Sequence, residues 1–401
     1  MGGDNTLGNG NDPVVPQASS ASSATLSPDA ISVRRSSRTK KAPVRLNLGC
    51  LRRMRCFLLG GKVCNSFIKR YFNCSSVATM STTLSRQHSV YVTRNVPESG
   101  IQLLTSAGLK VTQWKHDAAV PREELLTNIS QVDALFCLLT DKVDSELLDA
   151  AGGSLKVIGT MSVGHDHIDM EECKKRGIRV GFTPDVLTHA TAELTVALLL
   201  ATSRRLMEGV QAAKDGSWGT WKPTWLCGPS LQNSTVGILG FGRIGQQVAK
   251  NLGGFDVGKI IYTARTEVAS CAQRVEFDEL LLQSDFLIIC CALTDSTKNL
   301  FDKNAFLKMK KSAILVNTSR GPVVNMDDLA EALENKEIAG AGLDVTVPEP
   351  IPLDHSLLKL NNCVVLPHIG SATNEARSAM SRLTAENIIA ALNNQKMPAE
   401  L

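Results

Sequence analysis

Apolar positions along this chain fall into two rhythms. Short runs at 90–93, 132–139, 155–161, 178–182, 235–239, 259–263, 285–291, 313–317, 338–344 and 363–366 have strand length and are bounded by turn-forming residues. Between them, apolar residues recur at helical spacing over 98–107, 145–151, 170–176, 303–308 and 326–335. Strands that alternate with helices predict parallel sheets covered on both faces. The stretch 188–206, with Leu194, Val196, Leu198, Leu199 and Leu200, predicts one long apolar helix able to link two domains. A last helix, about 372–392, is expected to return to the first domain. The predicted division is a leader at 1–88, one domain from 89–187 with 372–401, and a second from 188–371.

The stretch from Ser234 to Arg265 organises the second domain. A strand-length run ends in Gly240-Phe241-Gly242-Arg243-Ile244-Gly245, and a helical pattern with Val248, Ala249 and Leu252 follows. Strand, glycine turn and helix in that order match a dinucleotide site of Rossmann type, with the phosphates at the helix N-terminus. Gly240 allows the tight turn, Gly242 lets backbone approach a pyrophosphate, and Gly245 lets the helix pack on the strand. The next strand runs into Ala264, Arg265 and Thr266 with no carboxylate for a ribose 2′-hydroxyl. Arg265 suits a 2′-phosphate, so NADP is expected, with NAD as the weaker alternative. The fold class expected is α/β: two doubly wound parallel-sheet domains, a Rossmann domain and a flavodoxin-like substrate domain, after a disordered leader.

Composition changes this picture at the N-terminus. The net charge of +4 conceals thirteen lysines and arginines against three acids in residues 1–88, which leaves the body acidic. The overall basicity therefore gives no reason to expect nucleic-acid binding by the body. Residues 1–45 lack periodicity and predict disorder. Met1 to Thr6 fits a myristoylation pattern formally, and Arg34 to Lys41 resembles a nuclear-import or nucleic-acid cluster, although a plain basic tail is the better account of it. The acid-free stretch after Met54 has the composition of a mitochondrial presequence. It would be N-terminal only if translation began at Met54, so a cytoplasmic location is expected otherwise. No run approaches the roughly 18 apolar residues of a membrane span. Eleven cysteines without C-x-x-C spacing read as reduced thiols, with Cys290 and Cys291 as core residues of a strand. Trp218, Trp221 and Trp225 crowd a loop at 217–228, as interface residues or as a cap on a core.

Three late strands end in chemistry: Asn317-Thr318-Ser319-Arg320-Gly321, Leu343-Asp344-Val345 leading to Pro348-Glu349-Pro350, and Pro367-His368-Ile369-Gly370. In an open parallel sheet, ligands bind beyond the carboxyl ends of the strands. Arg320 can grip a carboxylate, His368 can pass a proton to a carbonyl oxygen, and Glu349 can orient that imidazole.

Together with Thr160-Met161-Ser162-Val163-Gly164 and Ala341-Gly342-Leu343-Asp344-Val345, these motifs over 89–401 resemble the D-isomer-specific 2-hydroxyacid dehydrogenase family. The likeness is to its animal branch acting on glyoxylate and hydroxypyruvate. The resemblance implies NADPH-dependent reduction of glyoxylate to glycolate and of hydroxypyruvate to D-glycerate. It implies Arg320, Glu349 and His368 as the catalytic set, with Val163 and Gly164 holding the substrate carboxylate through backbone N–H groups. Gly240, Gly242, Arg243, Ile244, Gly245, Arg265, Thr318, Asp344 and Gly370 would contact cofactor, Asp344 through the nicotinamide amide. Trp221 would reach the substrate pocket of a neighbouring subunit in a homodimer. His165 departs from the less polar residue that follows Val-Gly in relatives.

Two rivals remain. His165, His167 and Asp169 alternate as in a metal site, but they read as caps of the following helix, and no metal is expected. A dinucleotide-sensing interaction protein of the corepressor type shares this fold and would bind a peptide without turnover.

Overall fold

A computed structural model describes residues 86–401. The leader readings at Met1, Arg34, Lys41 and Met54 lie outside the described residues. The first sheet is built from β1 (Ser89–Val92), β2 (Lys110–Gln113), β3 (Ala134–Cys137), β4 (Val157–Thr160) and β5 (Arg179–Gly181), all parallel in the order β2-β1-β3-β4-β5. Its helices are α1 (Glu98–Ser106), α2 (Arg122–Asn128), α3 (Ser145–Ala151) and α4 (Met170–Lys175). Alternation along the strands divides the core. Val90, Val92, Ala134 and Phe136 face one side, while Tyr91, Leu135, Cys137 and Ile158 face the other with Leu147 and Leu148 of α3. Both faces are buried, which is why these strands read as continuous apolar runs.

The chain then passes through α5 (Thr188–Ser203) and α6 (Leu206–Asp215) to β6 (Thr235–Leu239), α7 (Arg243–Leu252), β7 (Lys259–Thr263), β8 (Gln273–Arg274) and α8 (Phe277–Gln283). It continues through β9 (Phe286–Ile289), α9 (Lys303–Lys308), β10 (Ile314–Asn317), α10 (Met326–Glu334), β11 (Gly340–Leu343), β12 (Cys363–Val365) and α11 (Asn374–Leu392). The second sheet is parallel throughout, in the order β12-β11-β10-β9-β6-β7-β8. Strand order reverses direction at β6, so the loop after β6 opens at a topological switch point. Helix α11 leaves this sheet and packs on the first: Met380 and Ile388 join the cluster of Val90 and Phe136, and Ser381 Oγ donates to the Pro97 carbonyl beside α1 at 2.8 Å.

Three expectations need correction. The predicted helix 188–206 is two helices, since α5 stops at Ser203 and Arg205 takes a left-handed φ of 52°. The returning chain crosses that end so closely that a Cβ on Gly228 would lie 1.8 Å from the Ser203 carbonyl oxygen. Cys290 and Cys291 lie just past β9, not within it; burial pushes their thiols up to about 12 and about 11, so both stay protonated. Of the H-x-H-x-D trio, only Asp169 caps α4, its side chain accepting from Glu172 N–H. His167 instead turns inward to Thr160. Among the described residues no helix is long and apolar enough to cross a membrane.

Candidate active site

The glycine turn has the shape a pyrophosphate needs. Gly240 takes φ +88°, a conformation side chains avoid. A Cβ on Gly245 would meet the Gly240 carbonyl oxygen at 2.3 Å, so α7 can sit on β6 only with glycine there. Gly242, by contrast, faces open space and caps α7 without any side-chain hydrogen bond, leaving the helix N-terminus free for an anion. These residues fit a dinucleotide. Ile244 packs against the cores of both sheets. Arg243 at the first turn of α7 pairs through Nε with Asp185 at 2.5 Å. At the end of β7, Arg265 is exposed and makes no ion pair among the described residues. Arg274 of β8 donates its Nε–H to the carbonyl of Ala264, next to it, at 3.1 Å. That second cation was missed because β8 is only two residues long.

The loops after β10, β11 and β12 bring the expected side chains together. His368, with a left-handed φ of 55°, turns its Nδ1 to Glu349 Oε2 at 2.9 Å. A carboxylate can only accept, so Nδ1 carries the proton and Nε2 is left for a ligand. Glu349 Oε1 accepts from Thr346 N–H at 3.0 Å. Burial pushes the Glu349 carboxyl upward, but the hydrogen bond and charge of His368, the Thr346 N–H and the charge of Arg320 outweigh it, and the group stays below the usual carboxylate range. Asp344 also has a structural task. It is buried, and its oxygens accept from Ile369 and Gly370 N–H groups, each at 2.8 Å, so it holds the histidine loop. Thr318 is buried, with its hydroxyl 2.8 Å from that of Thr195 on α5.

Arg320 reaches the first sheet. A Cβ on Gly164 would fall 1.9 Å from its Nη2, so guanidinium and the Val163-Gly164 loop are in van der Waals contact. Its Nε donates to Asp166 Oδ1 at 2.9 Å. Sequence reasoning missed Asp166: attention to the alternating His165, His167 and Asp169 passed over the residue between the histidines. The loop is held from within by a chain of polar groups. His167 Nε2 lies 3.0 Å from Thr160 Oγ1, which is 2.8 Å from Ser162 Oγ, which donates to the Gly164 carbonyl at 2.7 Å. Burial lowers the His167 pKa to about 4. His165 is exposed, and Trp221 is 78% exposed in the loop after α6.

Elsewhere, a cavity of about 570 Å³ opens at the opposite, amino-terminal end of the first sheet. Its basic groups, Arg86, His88 and Lys156, all turn to the buried Asp133. No group of three His, Cys, Asp or Glu side chains able to hold a metal occurs among the described residues.

The geometry has counterparts in known proteins. Residues 196–370 match the model of the D-isomer specific 2-hydroxyacid dehydrogenase, NAD binding domain. The chain is 52% identical over 322 residues to human glyoxylate reductase/hydroxypyruvate reductase, covering 79% of this chain and 98% of that one. It is 48% identical over 317 residues to the glyoxylate reductase of Thermofilum pendens, covering 77% and 93%. Among solved structures, an NADPH-dependent glyoxylate/hydroxypyruvate reductase of Sinorhizobium meliloti with NADP and malonate superposes with a TM-score of 0.70 at 30% identity, covering 79% of this chain and 97% of that one. With a glycine turn at the switch point of one sheet and a histidine–glutamate pair beside an arginine at its carboxyl edge, this chain belongs to the D-isomer specific 2-hydroxyacid dehydrogenase family.

Proposed function

We propose that the chain reduces glyoxylate to glycolate and hydroxypyruvate to D-glycerate, using NADPH in preference to NADH. The observation that carries this reading is the His368–Glu349 pair at 2.9 Å, which leaves Nε2 as a proton donor beside Arg320. The 52% identity to a glyoxylate reductase/hydroxypyruvate reductase supports the substrate class. Gly240, Gly242, Arg243, Ile244 and Gly245 would hold the dinucleotide, with Thr318, Asp344 and Gly370 shaping the nicotinamide end. When bound, that cofactor supplies the hydride. Arg320 and the N–H groups of Val163 and Gly164 grip the substrate carboxylate and fix the ketone. In its imidazolium form His368 then passes the Nε2 proton to the carbonyl oxygen, while the Glu349 carboxylate holds Nδ1–H and so the ring's orientation.

In this reading, 89–187 with 372–401 form the substrate domain and 188–371 the dinucleotide domain. The preference for NADPH rests on Arg265, without an ion pair among the described residues at the end of β7, with Arg274 as a second cation. The chain acts as a homodimer: Leu206, Met207 and Val210 of α6, with Trp218 and Trp221, are 47% to 78% exposed and offer an apolar surface to a second copy. Trp221 reaches the partner's substrate pocket. Its site of action is the cytoplasm, in keeping with cysteines that are free throughout the described residues. The test is the initial rate of NADPH and NADH oxidation with hydroxypyruvate and glyoxylate. Rapid NADPH-preferring turnover is expected, and Arg265→Ala should cut that preference by about tenfold, on the order of one charge-assisted contact. Tight NADPH binding without turnover of either acid would overturn the reading in favour of a cofactor-sensing interaction protein.

A further inference from the structure

We propose that Asp166 is a positioning residue for Arg320, clamping the guanidinium across the junction of the two sheets so that Nη2 is presented to the substrate carboxylate. The inference rests on the functional reading above and adds a residue that reading does not use. Asp166 stands in the loop after β4 and Arg320 in the loop after β10. Two anchors fix the guanidinium plane: Nε donates to Asp166 Oδ1 at 2.9 Å, and Nη1 donates to the Ser319 carbonyl at 2.9 Å. Nη2 has no hydrogen-bond partner among the described residues and lies against Gly164. Both side chains of the pair are largely sheltered, with 20% of Arg320 and 33% of Asp166 exposed.

An arginine at the end of a flexible stem loses rotamer freedom when it grips a ligand, and a partner that holds it in place beforehand removes that cost. A neighbouring carboxylate also competes for the arginine's charge. Here position outweighs competition, because Asp166 takes Nε and leaves Nη2 uncommitted among the described residues. Burial pushes the Asp166 carboxyl up, yet the charge and hydrogen bond of Arg320 hold it below the usual carboxylate range. The clamp is therefore charged at neutral pH.

Steady-state kinetics of the full chain with NADPH and hydroxypyruvate test this, with inhibition by oxalate, which has the carboxylate but no reducible ketone, read alongside. Asp166→Ala should raise the KM for hydroxypyruvate and the oxalate inhibition constant about tenfold, with kcat and the KM for NADPH within about twofold. Asp166→Asn keeps an acceptor for Nε but loses the charge, and should fall between, near threefold. Unmoved KM in Asp166→Ala overturns the inference, as does a parallel loss of kcat and NADPH affinity, the mark of a merely structural role. If Asp166→Ala fails to fold, the asparagine variant decides: a threefold rise supports the clamp and no rise overturns it. Absence of turnover by the unaltered chain overturns the functional reading and the clamp together, whereas normal turnover with an unmoved KM in the variants overturns the clamp alone.

Discussion

The two sheets meet at their carboxyl edges with different materials. The five-stranded sheet offers main chain at Val163 and Gly164, stiffened by the polar relay from His167 through Thr160 and Ser162 to the Gly164 carbonyl. The seven-stranded sheet offers polar side chains, Arg320, Glu349 and His368, on loops tied down by Asp344 and Asn317. Backbone N–H groups do not titrate and carry no side-chain entropy, so they serve recognition. A proton donor must change charge, so it sits where a carboxylate can steady it. In the proposed reading recognition and chemistry are divided between the sheets, and Arg320 reaches across to the Val163-Gly164 loop.

That division is broken most severely at His368. His368→Ala should lower turnover about 10²- to 10⁴-fold, the usual worth of a positioned acid, while NADPH binding measured by fluorescence titration stays within about twofold. Equal loss of both would mean the histidine holds structure, not the proton. A smaller effect is expected on the recognition side. Gly164→Ala places a methyl 1.9 Å from Arg320 Nη2, the far end of a flexible side chain, so the guanidinium must move while the fold survives. The KM for hydroxypyruvate should rise about tenfold or more with little change in melting temperature, consistent with a lost charged contact. A drop in stability with unchanged KM would mean that the arginine does not serve at this loop.

The smallest expected effect concerns pH. Burial depresses the His167 pKa to about 4, below its unfolded value near 6.5. The unfolded chain binds the proton first as pH falls, so the stability that neutral His167 contributes is present above about 6.5 and is lost as pH drops toward 4. About 1.5 kcal/mol should go between pH 6.5 and 5, and His167→Gln should remove that part of the slope in thermal melts at the two pH values. An unchanged slope would show that the relay tolerates a charged imidazole.

Much of this was legible in the sequence because buried parallel strands write themselves as unbroken apolar runs, as β9 and β10 do. Strand β2 carries Lys110-Val111-Thr112-Gln113 at the sheet edge with no buried residue, and it left no such run. Helix α2, with the adjacent Leu125 and Leu126 as its only apolar positions, carries no helical period. Arg320, Glu349 and His368 were visible because they follow strands that were themselves visible. Asp166 was not, since its partner lies 154 positions away and nothing in local spacing points there. The end of α5 was hidden for the same reason: the chain that crosses it comes from Gly228.

The seven-stranded sheet is inserted into the other unit, entered at α5 after β5 and left between β12 and α11. A body fastened at two points can turn only about the line through them. The Arg243–Asp185 and Arg320–Asp166 pairs are two further ties between the halves, at different places along the junction.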